Sequence, residues 1–191
     1  MPKQAQLCHV RHATNKSNIA LIGFMASGKS TLGALFSDAL NMGFFDIDAE
    51  IEMQAAMSVS EIFANFGEAH FRNLESRLCK EMRNVKNCVI ATGGGIVLRS
   101  ANVNYLRESC LVVYLVADAE TLLSRMQNEN SRPLLADGDK TAKIQALLAE
   151  RRELYENCAD IILNTNDKSI SESLQELIDI ISVHIATGES R

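Results

Sequence analysis

The chain has 191 residues, 47% of them hydrophobic, which is enough to bury one substantial core and short for two. Nineteen Lys plus Arg against 24 Asp plus Glu give a net charge of −5 with no basic block, which excludes a nucleic-acid tail. The longest apolar run, "CLVVYLVA" from Cys110, is far short of the ~20 residues that span a bilayer, and Cys8, Cys79, Cys88, Cys110 and Cys158 are odd in number and lack CxxC spacing, which excludes a disulfide framework or zinc ribbon and points to a reducing cytoplasm.

Residues 1–17 lack periodicity and are expected to be a flexible extension, with 18–191 as the single folded domain. They contain no apolar signal core, so a soluble protein that stays inside is expected. "CHVRH" crowds three potential ligands together without a distant partner, which does not make a closed zinc site. From Ile19 onward "IALIG", "FFDID", "CVIATG", "LVVYLV" and "DIILN" read as five short strands separated by long helical stretches. Such spacing requires crossover helices, so the expected fold is α/β, a three-layer α/β/α sandwich around a five-stranded parallel sheet.

Between the first strand and the first helix, Gly23 to Ser30, "GFMASGKS", satisfies GxxxxGK[ST]. The flanking context is the one this P-loop NTPase motif needs. Its glycines let consecutive N–H groups turn toward phosphates, and the helix N-terminus adds partial positive charge. Lys29 reaches the β- and γ-phosphates, and Ser30 can ligate Mg²⁺. Leu32, Leu35, Phe36, Ala39 and Leu40 repeat with helical period and are expected to face the core behind the loop. The loop binds a nucleoside triphosphate without naming the acceptor.

Four further groups bear on the acceptor. In "FFDID", Asp46 and Asp48 lie two apart; if the strand persists, both carboxylates leave it on one side, at the sheet edge where ligands bind. One can orient a metal-bound water and the other can meet an acceptor hydroxyl, the alternative being a solvated acidic loop. Ser58 with Glu61, and Ser169 with Glu172, form capping boxes that start two helices. On the first of these, "FRNLE" sets Arg72 and Glu75 three apart beside the stripe Phe71, Leu74, Leu78 and Met82. Glu75 can hold Arg72 toward an anion, though read alone such a pair is more often an exposed surface ion pair. "TGGG", Thr92 to Gly95, has more glycine than a turn requires, which implies a ligand or backbone approaching where no side chain fits.

Toward the C-terminus "RMQNENSRPLLADGDK" is polar and reads as a mobile lid over about 127–139, or else as a surface loop, with Arg132 placed to meet the γ-phosphate. In the following helix Ile144, Leu147, Leu148, Leu154 and Tyr155 outline the buried face. Arg151 falls near the middle of it and Arg152 about 100° further round, so Arg151 is the better anion ligand, with a snorkelling arginine as the alternative.

Together these motifs resemble one family, the shikimate kinases, small P-loop enzymes of the nucleoside-monophosphate-kinase type of fold. The resemblance runs from Asn18 to about His184 and rests on "GFMASGKST", "DID", "FRNLE", "GGG", "RPLL" and "RRELY" in family order. It implies ATP-dependent phosphorylation of the 3-hydroxyl of shikimate, a step of chorismate and aromatic amino acid biosynthesis, by a cytoplasmic monomer. Gly23, Ala26, Ser27, Gly28, Lys29, Ser30 and Thr31 would hold the nucleotide phosphates. Ser30 and Asp46 would hold Mg²⁺, the latter through water, and Arg125 would stack on adenine. Asp48 would bind the substrate hydroxyls and act as general base or orient the acceptor. Arg72, Gly93, Gly94, Gly95 and Arg151 would fix the acid, and Phe63 and Phe71 would wall the ring. Lys29, Asp48 and Arg132 would carry catalysis.

Two positions depart from the family pattern. Ala26 replaces a usual glycine and is tolerable only if its φ stays negative. "RRELY" replaces R-x-P-L-Y and leaves two adjacent arginines to choose between. A gluconate kinase, which shares fold and loop but not the FRxxE and GGG pair, and a nucleotide-dependent switch remain as alternatives.

Overall fold

A computed structural model describes residues 16–126 and 140–187. Five strands form one parallel sheet: β1 (Asn18–Ile22), β2 (Gly43–Asp46), β3 (Cys88–Ala91), β4 (Cys110–Val116) and β5 (Ile161–Asn164), in the order β2-β3-β1-β4-β5. Every pair is parallel, with Ile19 opposite Val89 and Leu111, and Asp46 opposite Ala91. Among the described residues seven α-helices connect them: α1 (Lys29–Leu40), α2 (Ile47–Ala55), α3 (Val59–Glu81), α4 (Ser100–Ser109), α5 (Ala119–Met126), α6 (Lys140–Cys158) and α7 (Ile170–Thr187).

The three inner strands β1, β3 and β4 are buried on both faces, as the centre of a parallel sheet requires, while the edge strands β2 and β5 are partly exposed. The two-residue alternation of the strands sends Ile19, Leu21, Val89, Val113 and Leu163 to one side, under Leu32 and Phe36 of α1 and Leu177 and Ile181 of α7. It sends Ala20, Ile22, Ile90, Val112 and Tyr114 to the other, under α2, α3, α4 and α6. This is the expected three-layer sandwich. Phe36 is fully buried, and truncating it to Ala removes about 3–5 kcal/mol.

Polar residues register the strand ends. The Asn18 side-chain amide donates to Val85 C=O at 2.8 Å and its oxygen accepts from Cys88 N–H at 3.1 Å, fastening β1 to β3. Asp160 Oδ2 accepts from both Val112 N–H and Lys16 Nζ at 2.9 Å, and Ser17 C=O accepts from Asn87 N–H. The chain is thus tied to the sheet from Lys16, inside the stretch expected to be a flexible extension; residues 1–15 lie outside the described residues.

Three helix-face expectations change. The buried stripe of α1 is Leu32, Gly33, Phe36 and Ser37, while Leu35 is 41% exposed and Ala39 also faces outward. The apolar rows flanking the core face find no covering element. Leu154 of α6 is likewise exposed. Both capping boxes form, at Ser58 with Glu61 and at Ser169 with Glu172. The helix begun at Ser58 is broken at Gly67, whose φ of 78° takes it out of helical geometry before α3 resumes at Glu68.

Candidate active site

The loop after β1 is shaped by three left-handed residues. Gly23 has φ 144°, and a Cβ there would lie 2.6 Å from Leu115 C=O, so no side chain fits. Gly28, φ 97°, is the residue before the first turn of α1. Ala26 has φ 60°. The condition of a negative φ is therefore not met: the loop takes the left-handed geometry, and Ala26 adopts it against an intrinsic penalty of about 1–2 kcal/mol. Lys29 is buried, and its ammonium donates to Gly23 C=O at 3.0 Å and Phe24 C=O at 2.7 Å.

The second carboxylate group differs from its sequence expectation. β2 ends at Asp46, whose Oδ1 accepts from the backbone N–H groups of Asp48 and Ala49 at 3.0 and 3.2 Å. Asp46 is thus the N-cap of α2 and Asp48 lies in its first turn, so the two do not share a strand face. Asp48 lines the cleft, while Asp46 and Gly23 stand outside its lining.

"TGGG" accounts for the convergence. Thr92 Oγ1 donates to Leu21 C=O at 3.0 Å, fastening the end of β3 beside β1. None of Gly93, Gly94 and Gly95 takes a positive φ; they are required for space. A Cβ on Gly93 would collide with Glu75 Oε1 and lie 2.7 Å from Asp48 Oδ1, and one on Gly95 would overlap the Arg72 guanidinium. One on Gly94 would lie 3.1 Å from Met25 N, in the phosphate loop. The glycines let the carboxylates, the arginine and the loop meet at one sheet edge.

Arg72 and Glu75 are not a surface pair: they are 7% and 0% exposed. Arg72 Nη1 donates to Glu75 Oε2 at 3.0 Å, and Nε and Nη2 donate to Glu68 Oε1 at 3.1 and 2.9 Å. Burial by itself would lower the Arg72 guanidinium, but Glu75 and Glu68 outweigh it and hold it above its ordinary value. Burial pushes Glu75 up to about 7 against the pull of Arg72, and neighbouring Asp48 adds to the rise. Glu75 Oε1 is buried with no hydrogen-bond partner among the described residues, the environment that disfavours its charge. Arg99, which follows the short 3-10 turn Ile96–Leu98 after the glycines, donates to Arg72 C=O at 2.9 Å and Ser76 Oγ at 3.1 Å, clamping α3 to the start of α4.

Arg151 is 4% exposed and Arg152 is exposed, as the helix face requires. The Arg151 guanidinium lies 6.0 Å from the Phe24 ring centroid. At the far end of the cleft Arg125 donates to Thr165 Oγ1 and C=O at 3.2 and 2.7 Å and to Ser27 C=O at 3.4 Å, bridging the end of β5 to the phosphate loop.

These groups line one cleft of about 400 Å³. It brings together Ala26, Ser27, Gly28, Lys29, Ser30, Thr31, Asp48, Arg72, Gly93, Gly94, Gly95, Arg125 and Arg151, with Phe63 and Phe71 on its wall, their rings 5.0 Å apart. Arg132 and the 127–139 segment lie outside the described residues. Sequence reasoning missed Thr165, Lys168 and Ile170, which line the Arg125 end. Their signal was position: they follow β5 at the carboxyl edge of the sheet, where ligand contacts concentrate.

A family model described as shikimate kinase matches residues 25–182. A shikimate kinase of Caldicellulosiruptor saccharolyticus is 40% identical over 174 residues, 91% of this chain and 99% of its own; one of Gloeobacter violaceus is 48% identical over 139 residues, 72% of this chain and 78% of its own. A solved shikimate kinase of Acinetobacter baumannii in complex with shikimate superposes with a TM-score of 0.85 at 31% identity, covering 92% of this chain and 98% of that one. A gluconokinase of Sinorhizobium meliloti, 13% identical with a TM-score of 0.56, shares the fold alone.

Proposed function

The chain belongs to the shikimate kinase family, and from that premise we propose that it transfers the γ-phosphoryl group of ATP to the 3-hydroxyl of shikimate, giving shikimate 3-phosphate and ADP. The observation that carries the acceptor assignment is the buried Arg72 and Arg151 pair beside Asp48, in the same cleft as the phosphate loop. Two buried arginines suit a carboxylate, and a carboxylate acceptor beside them suits a hydroxyl.

The chemistry is positioning and electrostatics. Loop N–H groups and Lys29 hold the triphosphate at the N-terminus of α1, and Arg125 with Thr165 flanks the base. Arg72, braced by Glu75, and Arg151 grip the acid, so that its hydroxyl lies at Asp48 and in line with the γ-phosphoryl. Asp48 accepts the hydroxyl's hydrogen bond, the arrangement needed both to orient it and to take its proton. Arg132, on the sequence resemblance, meets charge on the transferred group, with 127–139 as the lid of a single domain.

Mg²⁺ fits the oxygen donors present. Among the described residues no three His, Cys, Asp or Glu side chains form a metal cage, which suits an ion carried chiefly by phosphates and water. Ser30 in the loop would ligate it, and Asp46, whose cap bonds use Oδ1 alone, would hold one of its waters. The bound ion supplies neutralisation of phosphate charge. A cytoplasmic monomer is the state the sequence resemblance implies. Among the described residues no helix is long and apolar enough to cross a membrane.

Asp48→Asn tests the reading. Nucleotide binding should persist while acceptor-dependent ADP release falls about 100-fold or more. Turnover near wild type would reject Asp48 as the group that meets the hydroxyl.

A further inference from the structure

The backbone carbonyl of Gly94 stands between the two halves of the cleft. Its Cα packs on the phosphate loop, where a Cβ would lie 3.1 Å from Met25 N and 3.5 Å from Phe24 C. Its oxygen accepts from the Tyr155 hydroxyl and, at 3.5 Å, from Arg151 Nη1. Tyr155 is 0% exposed and its ring stacks on Tyr114 with centroids 4.9 Å apart, so the hydroxyl has little freedom of direction. Burial holds the phenol well above its ordinary range, against the pull of nearby Arg151, so it stays protonated and remains a donor. Arg151, one helical turn earlier on α6, has its Nε buried without a hydrogen-bond partner among the described residues and touches Gly94 only at the limit of hydrogen-bond distance.

Resting on the proposed function, we propose that Tyr155 is a positioning residue: by satisfying the Gly94 carbonyl it leaves the Arg151 guanidinium available to the substrate carboxylate. The Gly94 carbonyl is part-buried at the cleft wall, and both of these donors to it come from α6. Without the phenol, the nearest donor is Arg151, which would shift onto Gly94 and away from the acid. The same shift would loosen the peptide that packs on the phosphate loop, but the nucleotide's own contacts run through Lys29 and the loop N–H groups and stay in place. Tyr155 therefore acts on the acid and through Arg151.

Tyr155→Phe removes one oxygen and keeps the stacked ring. In a coupled ADP-release assay, KM for shikimate should rise about tenfold, with kcat and KM for ATP within about twofold of wild type. In an Arg151→Ala background, adding Tyr155→Phe should change kcat/KM for shikimate less than about twofold, because its effect passes through the missing arginine. An unchanged KM in the single variant overturns the proposal, as does an independent multiplicative loss in the double variant, which is what mere support of the core would give. The unchanged KM for ATP reports that the variant is folded. Wild-type protein that does not turn over shikimate would instead overturn the proposed function.

Discussion

Replacing Glu75 by Gln tests the electrostatics beneath Arg72. The substitution keeps the shape and one acceptor oxygen and removes the titration. At about 1.4 kcal/mol per pH unit, the rise of the carboxyl from 4.5 to about 7 is worth roughly 3 kcal/mol, and the side chain is fully buried, so solvent screening does not erode it. The folded carboxyl holds its proton more tightly than the unfolded one. Its contribution is therefore complete below about pH 4.5 and lost as pH rises through about 7. Urea unfolding of both proteins between about pH 4.5 and 8 isolates this group, because all other titrations are shared. The variant should gain about 3 kcal/mol on wild type across that range. A difference that stays flat within about 1 kcal/mol, or that moves the other way, would show that Arg72 keeps Glu75 ionised and that the burial argument is wrong.

The arginine assignment predicts that Arg151→Ala lowers kcat/KM for shikimate by about 2–4 kcal/mol, roughly 30-fold to several hundredfold, and Arg152→Ala by less than about threefold; equal losses would undo it. Gly95→Ala drives a Cβ into the Arg72 guanidinium. It should raise KM for the acid by at least about tenfold while leaving nucleotide affinity intact, and an unaltered KM would show that Arg72 can yield without consequence. Ala26→Gly relieves the left-handed penalty but frees the unfolded chain, for a net stabilisation of about 0.5 kcal/mol in urea unfolding; a loss of 1 kcal/mol or more would mean the Ala26 methyl makes contacts that matter.

The strands, the loop and the inward turn of Arg151 were legible because each is a local pattern: β-branched runs, one spaced motif, a helical period. The failures share a non-local cause. "DID" reads as a strand continuing, yet the Asp46 carboxylate caps the next helix and ends it, a competition between two local hydrogen-bond patterns that spacing does not decide. Leu35 and Leu154 sit at the edges of apolar stripes, and which edge is covered depends on neighbours contributed by distant segments. Arg72 and Glu75 look like any helical ion pair until Gly93 and Gly95 are packed onto them. Ala26 invites a negative φ, and only closure of the loop between β1 and α1 overrides it. Thr165 and Lys168 carry no motif at all; the sheet edge makes them part of the cleft.

The central claim is that one cleft holds a nucleotide's phosphates and a hydroxyl-bearing carboxylate in line. Its most direct measurement is ADP release from Mg-ATP by the purified protein against shikimate, gluconate and no acceptor, with the phosphorylated product identified. The account predicts release that depends on shikimate and yields the 3-phosphate. Preference for gluconate, or release indifferent to any acceptor, would contradict it.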